Sequence, residues 1–138
     1  MSNSSPLYSS ILKNAKTIAV VGLSDKSDRS SYGVTEYMQK YFEIIPINPM
    51  LKEWNGLKSY SSLLEIPKEK KVDIVNVFRK AEDCPAVTRD AVTIGANSIW
   101  LQQGIISEES EDIARHAHIP FVMDACIAVL HSQLLRNL

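Results

Sequence analysis

No apolar run in this 138-residue chain approaches the ~20 residues a membrane-spanning helix needs. The opening Met-Ser-Asn-Ser-Ser-Pro has neither the charged nor the apolar region of a secretory signal. A cytoplasmic protein is expected. Cysteine is scarce: Cys84 and Cys126 stand far apart in a chain with enough apolar residues for its own core, which argues for reduced thiols rather than a disulfide framework. Excess charge is missing too. Fifteen Lys and Arg against 16 Asp and Glu leave a formal net charge of −1, no general attraction for nucleic acid or an anionic membrane. Any bound anion must be held locally. Zinc spacing is also absent, and His116 and His118, two apart near a helix end, face different ways, so no metal site is expected.

What is present is an alternation of strand and helix signals. Ile18–Val21 is a continuous apolar run without a polar face, the pattern of a strand covered on both sides. Gly22 ends it, and residues 23–32 hold four Ser, two Asp, one Lys and one Arg before apolar spacing resumes at Val34. Such a loop aims amides and a helix N-terminus at a phosphate; an ordinary strand-to-helix turn is the plain alternative. Val34, Tyr37, Met38, Tyr41 and Phe42 then follow the spacing of one buried helix face, so the aromatics read as core. Glu43–Ile47 is a second strand. Pro46 cannot donate to a ladder, so this strand must bulge or lie where that amide is not needed. Asn48-Pro49 ends it, Asn55-Gly56 marks a turn, Ser61–Leu64 suggests a short helix, and Lys68–Lys71 reads as a solvated turn.

Val72–Phe78 is a third strand, followed by Arg79 and a helix that Pro85 opens and Gly95 stops, with Val87, Ala91 and Ile94 inward. Ser98–Leu101 is a fourth strand, Ser107 with Glu108 and Glu109 starts the next helix, and Ile119–Met123 is a fifth strand. Asp124 is expected to cap a last helix carrying Ile127, Leu130 and Leu134 on one face. Residues 1–7 read as a loose tail running into an apolar patch of Leu7, Tyr8, Ile11 and Leu12. The whole is an α/β, Rossmann-like, doubly wound five-stranded parallel sheet of order 3-2-1-4-5, a single domain over residues 1–138. Ligands of such sheets lie beyond the carboxyl ends of the strands, where the strand order reverses. There the loop 22–33, Asn48-Pro49, Phe78-Arg79, Gln102-Gln103-Gly104 and Asp124-Ala125-Cys126 would meet.

Two nucleotide signatures are missing from that crevice. The dinucleotide fingerprint needs three close glycines and, about 20 residues on, an acid at the end of the second strand. Only Gly22 and Gly33 bracket this loop, and the second strand ends in Asn48 and Pro49 with Lys52 behind. The Walker pattern is absent as well, so nucleoside triphosphate hydrolysis has no support. An acid would repel a phosphorylated ribose, whereas Asn48 tolerates one and Lys26, Arg29, Lys52 or Lys58 can pair with it. An adenine nucleotide carrying an extra phosphate is favoured.

Six stretches in register, spanning nearly the whole chain, resemble the small CoA-binding proteins of Rossmann type, similar to the N-terminal domain of the succinyl-CoA synthetase alpha subunit. They are residues 21–26, Asp28-Arg29 with Ser31–Val34, Ile47-Asn48-Pro49, Val77-Phe78-Arg79, Trp100–Gly104 and Asp124-Ala125-Cys126. Two departures stand out: Ser27 and Ser30 occupy positions where prolines are common, and Ala125 replaces the basic residue that often precedes the cysteine. The resemblance implies CoA or acyl-CoA as ligand. It implies that Gly22 and Ser24 approach the pyrophosphate within a loop that includes Leu23 and Lys26, and that Arg29, Ser30, Ser31 and Tyr32 clamp phosphate. By the same likeness Asn48 and Pro49 border the adenosine, Phe78 and Arg79 flank the adenine or the start of the pantetheine arm, and Gln103 and Gly104 meet its far end. For Phe78 and Arg79 the alternative is a packing residue and a surface charge.

The case for catalysis rests on Cys126, since a helix N-terminus favours a thiolate. A base is lacking: His131, five residues on, lies about 140° round the helix at ~100° per residue, and an Asp directly before a helix, as Asp124 is, more often caps it. Cys84, beside Pro85, occupies another helix start. A non-catalytic CoA-binding module is therefore expected. An enzyme acting on the CoA thiol or thioester through Cys126 is the alternative, and an NAD(P)-binding protein a weaker one.

Overall fold

The apolar run after Lys16 forms a fully buried strand, β1 (Thr17–Val21), in the computed structural model, which describes residues 5–137. In chain order the elements are α1 (Ser5–Asn14), β1, α2 (Ser30–Gln39), β2 (Glu43–Ile47), β3 (Glu53–Trp54), β4 (Leu57–Lys58), β5 (Ile74–Val77), α3 (Cys84–Thr93), β6 (Ile99–Leu101), α4 (Glu108–His116), β7 (Phe121–Val122) and α5 (Ile127–Arg136). Five parallel strands make one sheet in the order β2-β1-β5-β6-β7, while β3 and β4 form a separate antiparallel hairpin. Side chains alternate between two cores. Ala19, Val21, Val75, Val77 and Leu101 pack with Cys84 and Ala91 of α3 and Ala114 of α4. Ile18, Val20, Ile74, Trp100 and Val122 pack with Leu12 of α1, Met38 of α2 and Ile127 of α5. A sheet covered on both faces explains why its strands read as apolar runs rather than alternating ones.

The α/β class and the five-stranded parallel sheet are as expected, but the strand order is not 3-2-1-4-5. The third parallel strand, β5, pairs with β1 on the side opposite β2, giving 2-1-3-4-5 in strand sequence. Pro46 supplies the reason. The expected order would put its strand between two partners, whereas proline offers no N–H to a ladder. At the edge that amide is not required, and the outer side of β2 needs only the Tyr60 N–H, which donates to the Pro46 carbonyl at 3.0 Å. Conversely, β5 is buried at every residue, as an interior strand must be, and its one polar side chain, Asn76, donates to the Trp100 carbonyl at 3.3 Å.

Local signals mark several boundaries. Ser107 caps α4, accepting from the Ser110 N–H, and Gly95 takes a positive φ of 74° past the end of α3. Asn55 and Gly56 both have positive φ, as a two-residue hairpin turn between β3 and β4 requires. The short helix expected at Ser61–Leu64 is a single 3₁₀ turn at Leu63–Glu65. Of the tail expected over residues 1–7, residues 1–4 lie outside the described ones, and Ser5–Leu7 already belong to α1. Tyr41 was expected in the core but is 50% exposed, because α2 ends at Gln39 and the chain turns away before it. Among the described residues no helix is long and apolar enough to cross a membrane.

The α2–α5 contact encloses a histidine. His131 is 6% exposed, its Nδ1 lies 2.9 Å from the Tyr37 hydroxyl, and the rings of Tyr41 and Phe42 pack 4.7 and 5.3 Å from it. Burial lowers its pKa below the ordinary 6.5. Between the folded and unfolded pKa the unfolded chain holds the extra proton, so this group's contribution to stability declines as pH falls through 6.5. Thermal denaturation between pH 8 and 5 should show the unaltered chain losing more stability over that window than His131→Gln.

Candidate functional site

The carboxyl ends of β1 and β5 meet where the strand order reverses, and Gly22 lets them. Its φ is +84°, and a Cβ added there would lie 2.4 Å from the Phe78 carbonyl oxygen and 2.9 Å from Arg79 Cδ. No other residue fits this junction without moving β5. After Gly22 the chain is pinned from several sides. The Asn48 side-chain amide donates to the Leu23 carbonyl at 2.8 Å, Ser31 Oγ accepts from the Ser24 N–H at 3.0 Å, and Trp54 Nε1 donates to the Ser24 carbonyl at 3.0 Å. The Tyr32 ring meets the Trp54 ring edge-on at 5.3 Å, and its hydroxyl donates to Asn55 at 3.3 Å. The hairpin thus clamps the loop, and Trp54 is 2% exposed.

Beyond the pinned part, Asp25, Lys26, Asp28, Arg29 and Ser30 are exposed. Arg29 occupies the N-cap position of α2 without a side-chain capping bond, and no acid lies in the first turn. The positive end of that helix is open to an anion. Asn48 is occupied on all sides: its Oδ1 accepts from the Met50 N–H at 2.8 Å, its own N–H donates to the Tyr60 carbonyl at 2.9 Å, and Ser59 Oγ donates to its carbonyl at 3.2 Å.

Next to Gly22 lies a cavity of about 370 Å³. Of the residues singled out in the sequence, Gly22, Asn48, Pro49 and Arg79 line it, and so do Ser61, Ser62, Leu63, Val87 and Asp90. Those five were missed. Val87 read only as core, Ser61–Leu64 only as a helix signal, and the position of Asp90 three residues after Val87 was the available clue. Arg79 pairs with Asp83 at 3.2 Å, an exposed i,i+4 bridge of little energetic weight. Leu23 is wholly buried and Phe78 partly buried against the second core.

At the far strand ends one expectation fails, the capping role of Asp124. Gln103 and Gly104 are exposed and do not line the cavity, whereas their neighbour Gln102 is buried. The Gln102 Oε1 accepts from Asn76 Nδ2 and from the Ile127 N–H, both at 3.3 Å, tying β5 to the start of α5. Asp124 does not cap that helix. It takes a φ of +58° and accepts from the Gly104 N–H at 2.8 Å, which leaves Cys126 as the N-cap residue. The two cysteines differ in setting: Cys126 is half-buried, while Cys84 is fully buried with its Sγ 3.3 Å from the Lys80 carbonyl. Burial, with Asp83 adding to it, pushes the Cys84 thiol up to about 11. Among the described residues no group of three His, Cys, Asp or Glu could hold a metal ion.

A doubly wound parallel α/β protein, with an open helix N-terminus and a cavity at the β1–β5 switch point, is the class these features define. The model of the CoA binding domain family matches residues 16–132, and the chain belongs to that family. It is 44% identical to the uncharacterized protein YneT of Bacillus subtilis (strain 168) over 88% of this chain and 90% of that protein. A hypothetical protein from Pyrococcus horikoshii OT3 has a similar structure, with a TM-score of 0.91 and 30% identity over 96% of this chain and 93% of that one. The chain is also 23% identical to the ADP-forming acetate–CoA ligase of Methanocaldococcus jannaschii, over 88% of its own length but only 18% of the ligase.

Replacing Gly22 tests the junction. Gly22→Ala adds a left-handed non-glycine residue and a clash with backbone, and should lower stability by more than ~2 kcal/mol in chemical denaturation. Gly33→Ala, with nothing within 4 Å of the added Cβ, should not.

Proposed function

We propose that this protein binds CoA or acyl-CoA as one cytoplasmic, non-catalytic module, with the ligand laid across the carboxyl ends of the strands. The observation that carries the reading is the open N-terminus of α2 set beside the Gly22 junction, where the chain approaches without a side chain in the way. The pyrophosphate would lie over Gly22 and Ser24, taking hydrogen bonds from N–H groups at the start of α2. Arg29 would close on it as a fork and Lys26 as a point charge. The base would enter the cavity bordered by Asn48, Pro49 and Arg79, and the pantetheine arm would run past Phe78 toward Gln103 and Gly104. Cys126 would stand at the far end of that path. The likeness to part of an acetate–CoA ligase supports the choice of ligand, since that protein's name states that it handles CoA.

Calorimetry with CoA, its analogue lacking the 3′-phosphate, and NAD tests the ligand. CoA should bind most tightly and NAD far more weakly, because no acid stands at the end of β2 to take ribose hydroxyls. NAD binding as tight as CoA would reject the reading. Arg29→Ala should weaken CoA binding by about 1.5 kcal/mol or more, the scale of a hydrogen bond to a charged group. It should leave the melting temperature of the unliganded protein unchanged, since Arg29 is exposed and supports no core.

A further inference from the structure

The cavity beside Gly22 contains a charged group to which the CoA reading gives no task. Asp90 lines it with Val87, and the two lie three residues apart on one face of α3. Asp90 is half-buried. Among the described residues its carboxylate has no hydrogen bond or ion pair, and the cation that shares the cavity, Arg79, is engaged by Asp83 instead. Its place in the helix is electrostatically unfavourable as well. Asp90 lies in the last turn of α3, where the negative end of the helix dipole disfavours an anion, and no basic residue in that turn offsets this. An ionised carboxylate only accepts hydrogen bonds. Set among the apolar walls of Val21, Ile47 and Leu63, it suits a flat and largely apolar ligand that brings N–H donors.

We propose that Asp90 reads the base of the bound nucleotide, accepting a hydrogen bond from the exocyclic amino group of adenine. The inference rests on the CoA reading above and adds to it the residue that selects the base. At about 370 Å³ the cavity lies at the lower end of the roughly 300–1,000 Å³ of small-molecule sites. That is room for a base and part of its ribose, while the rest of CoA must leave along the strand ends. The hydroxyls of Ser61 and Ser62, which also line the cavity, can donate to the ring nitrogens, which only accept. A purine with a carbonyl in place of the amino group would turn lone pairs toward the carboxylate and be rejected.

The test is calorimetry of the unaltered chain, Asp90→Ala and Asp90→Asn with CoA and with 1,N6-etheno-CoA, whose extra ring removes the amino hydrogens. The unaltered chain should bind CoA at least about tenfold more tightly than the etheno analogue, and Asp90→Ala should lose about tenfold or more for CoA while leaving etheno-CoA unchanged. Asp90→Asn keeps an acceptor oxygen and should fall between. The unliganded Asp90→Ala protein should melt no lower than the unaltered one, since it loses a repelled charge. Equal losses for both ligands would assign Asp90 a role in cavity shape only and overturn the proposal. So would an unchanged CoA affinity in Asp90→Ala while the unaltered chain binds CoA. If the unaltered chain bound no CoA, the underlying reading would fail and this one with it, an outcome distinct from the other two.

Discussion

The rest of the structure depends on the contact between Gly22 and the backbone of Phe78. The ends of β1 and β5 come so close that a methyl group at Gly22 would sit 2.4 Å from a carbonyl oxygen. This single approach aligns the two central strands and fixes the point at which the connections diverge to opposite sides of the sheet. It also leaves a stretch of chain without side-chain cover at the mouth of the crevice. The cavity lies beside it, and the start of α2 that follows the loop carries no side-chain cap.

A second constraint holds that geometry in place. Loops between a strand and a helix are usually free to move, yet here the β3–β4 hairpin folds back and holds the loop at Ser24 and Tyr32 through Trp54 and Asn55. Asn48 does the same from the end of β2, bonding the Leu23 carbonyl. The two ends of the loop are therefore fixed by the fold itself, and a ligand held there would bind at a lower ordering cost. Gln102 plays the matching part on the other half of the sheet by joining Asn76 in β5 to the first amide of α5.

Much of this was legible in the residues themselves. Apolar runs of four or five marked the strands, Ser107 and Gly95 marked helix ends, and Asn55-Gly56 marked the turn. The loop 22–33 was recognisable from its composition, and four of the residues singled out, Gly22, Asn48, Pro49 and Arg79, do line one cavity. Ser61, Ser62 and Asp90 were not legible as cavity residues. Their segments lie far from Gly22 in sequence, and each has an ordinary local explanation. Asp124 misled because an aspartate before a helix fits the capping pattern, while its actual partner, the Gly104 amide, comes from a different strand end.

The sequence by itself determined the succession of strands and helices, the parallel character of the sheet and the position of the polar loop after β1, because each is written in local periodicity and in residues with restricted backbone chemistry. Pro46 restricted β2 to a bulge or to a place where its amide is not needed, and the structure resolves that choice by putting β2 at the edge. Only the tertiary structure decided that β5 takes the place beside β1, that the hairpin clamps the loop, and that Asp90 faces the same cavity as Gly22. Those facts depend on which distant backbone groups pair and which side chains fill the space between them, and local patterns carry no record of either.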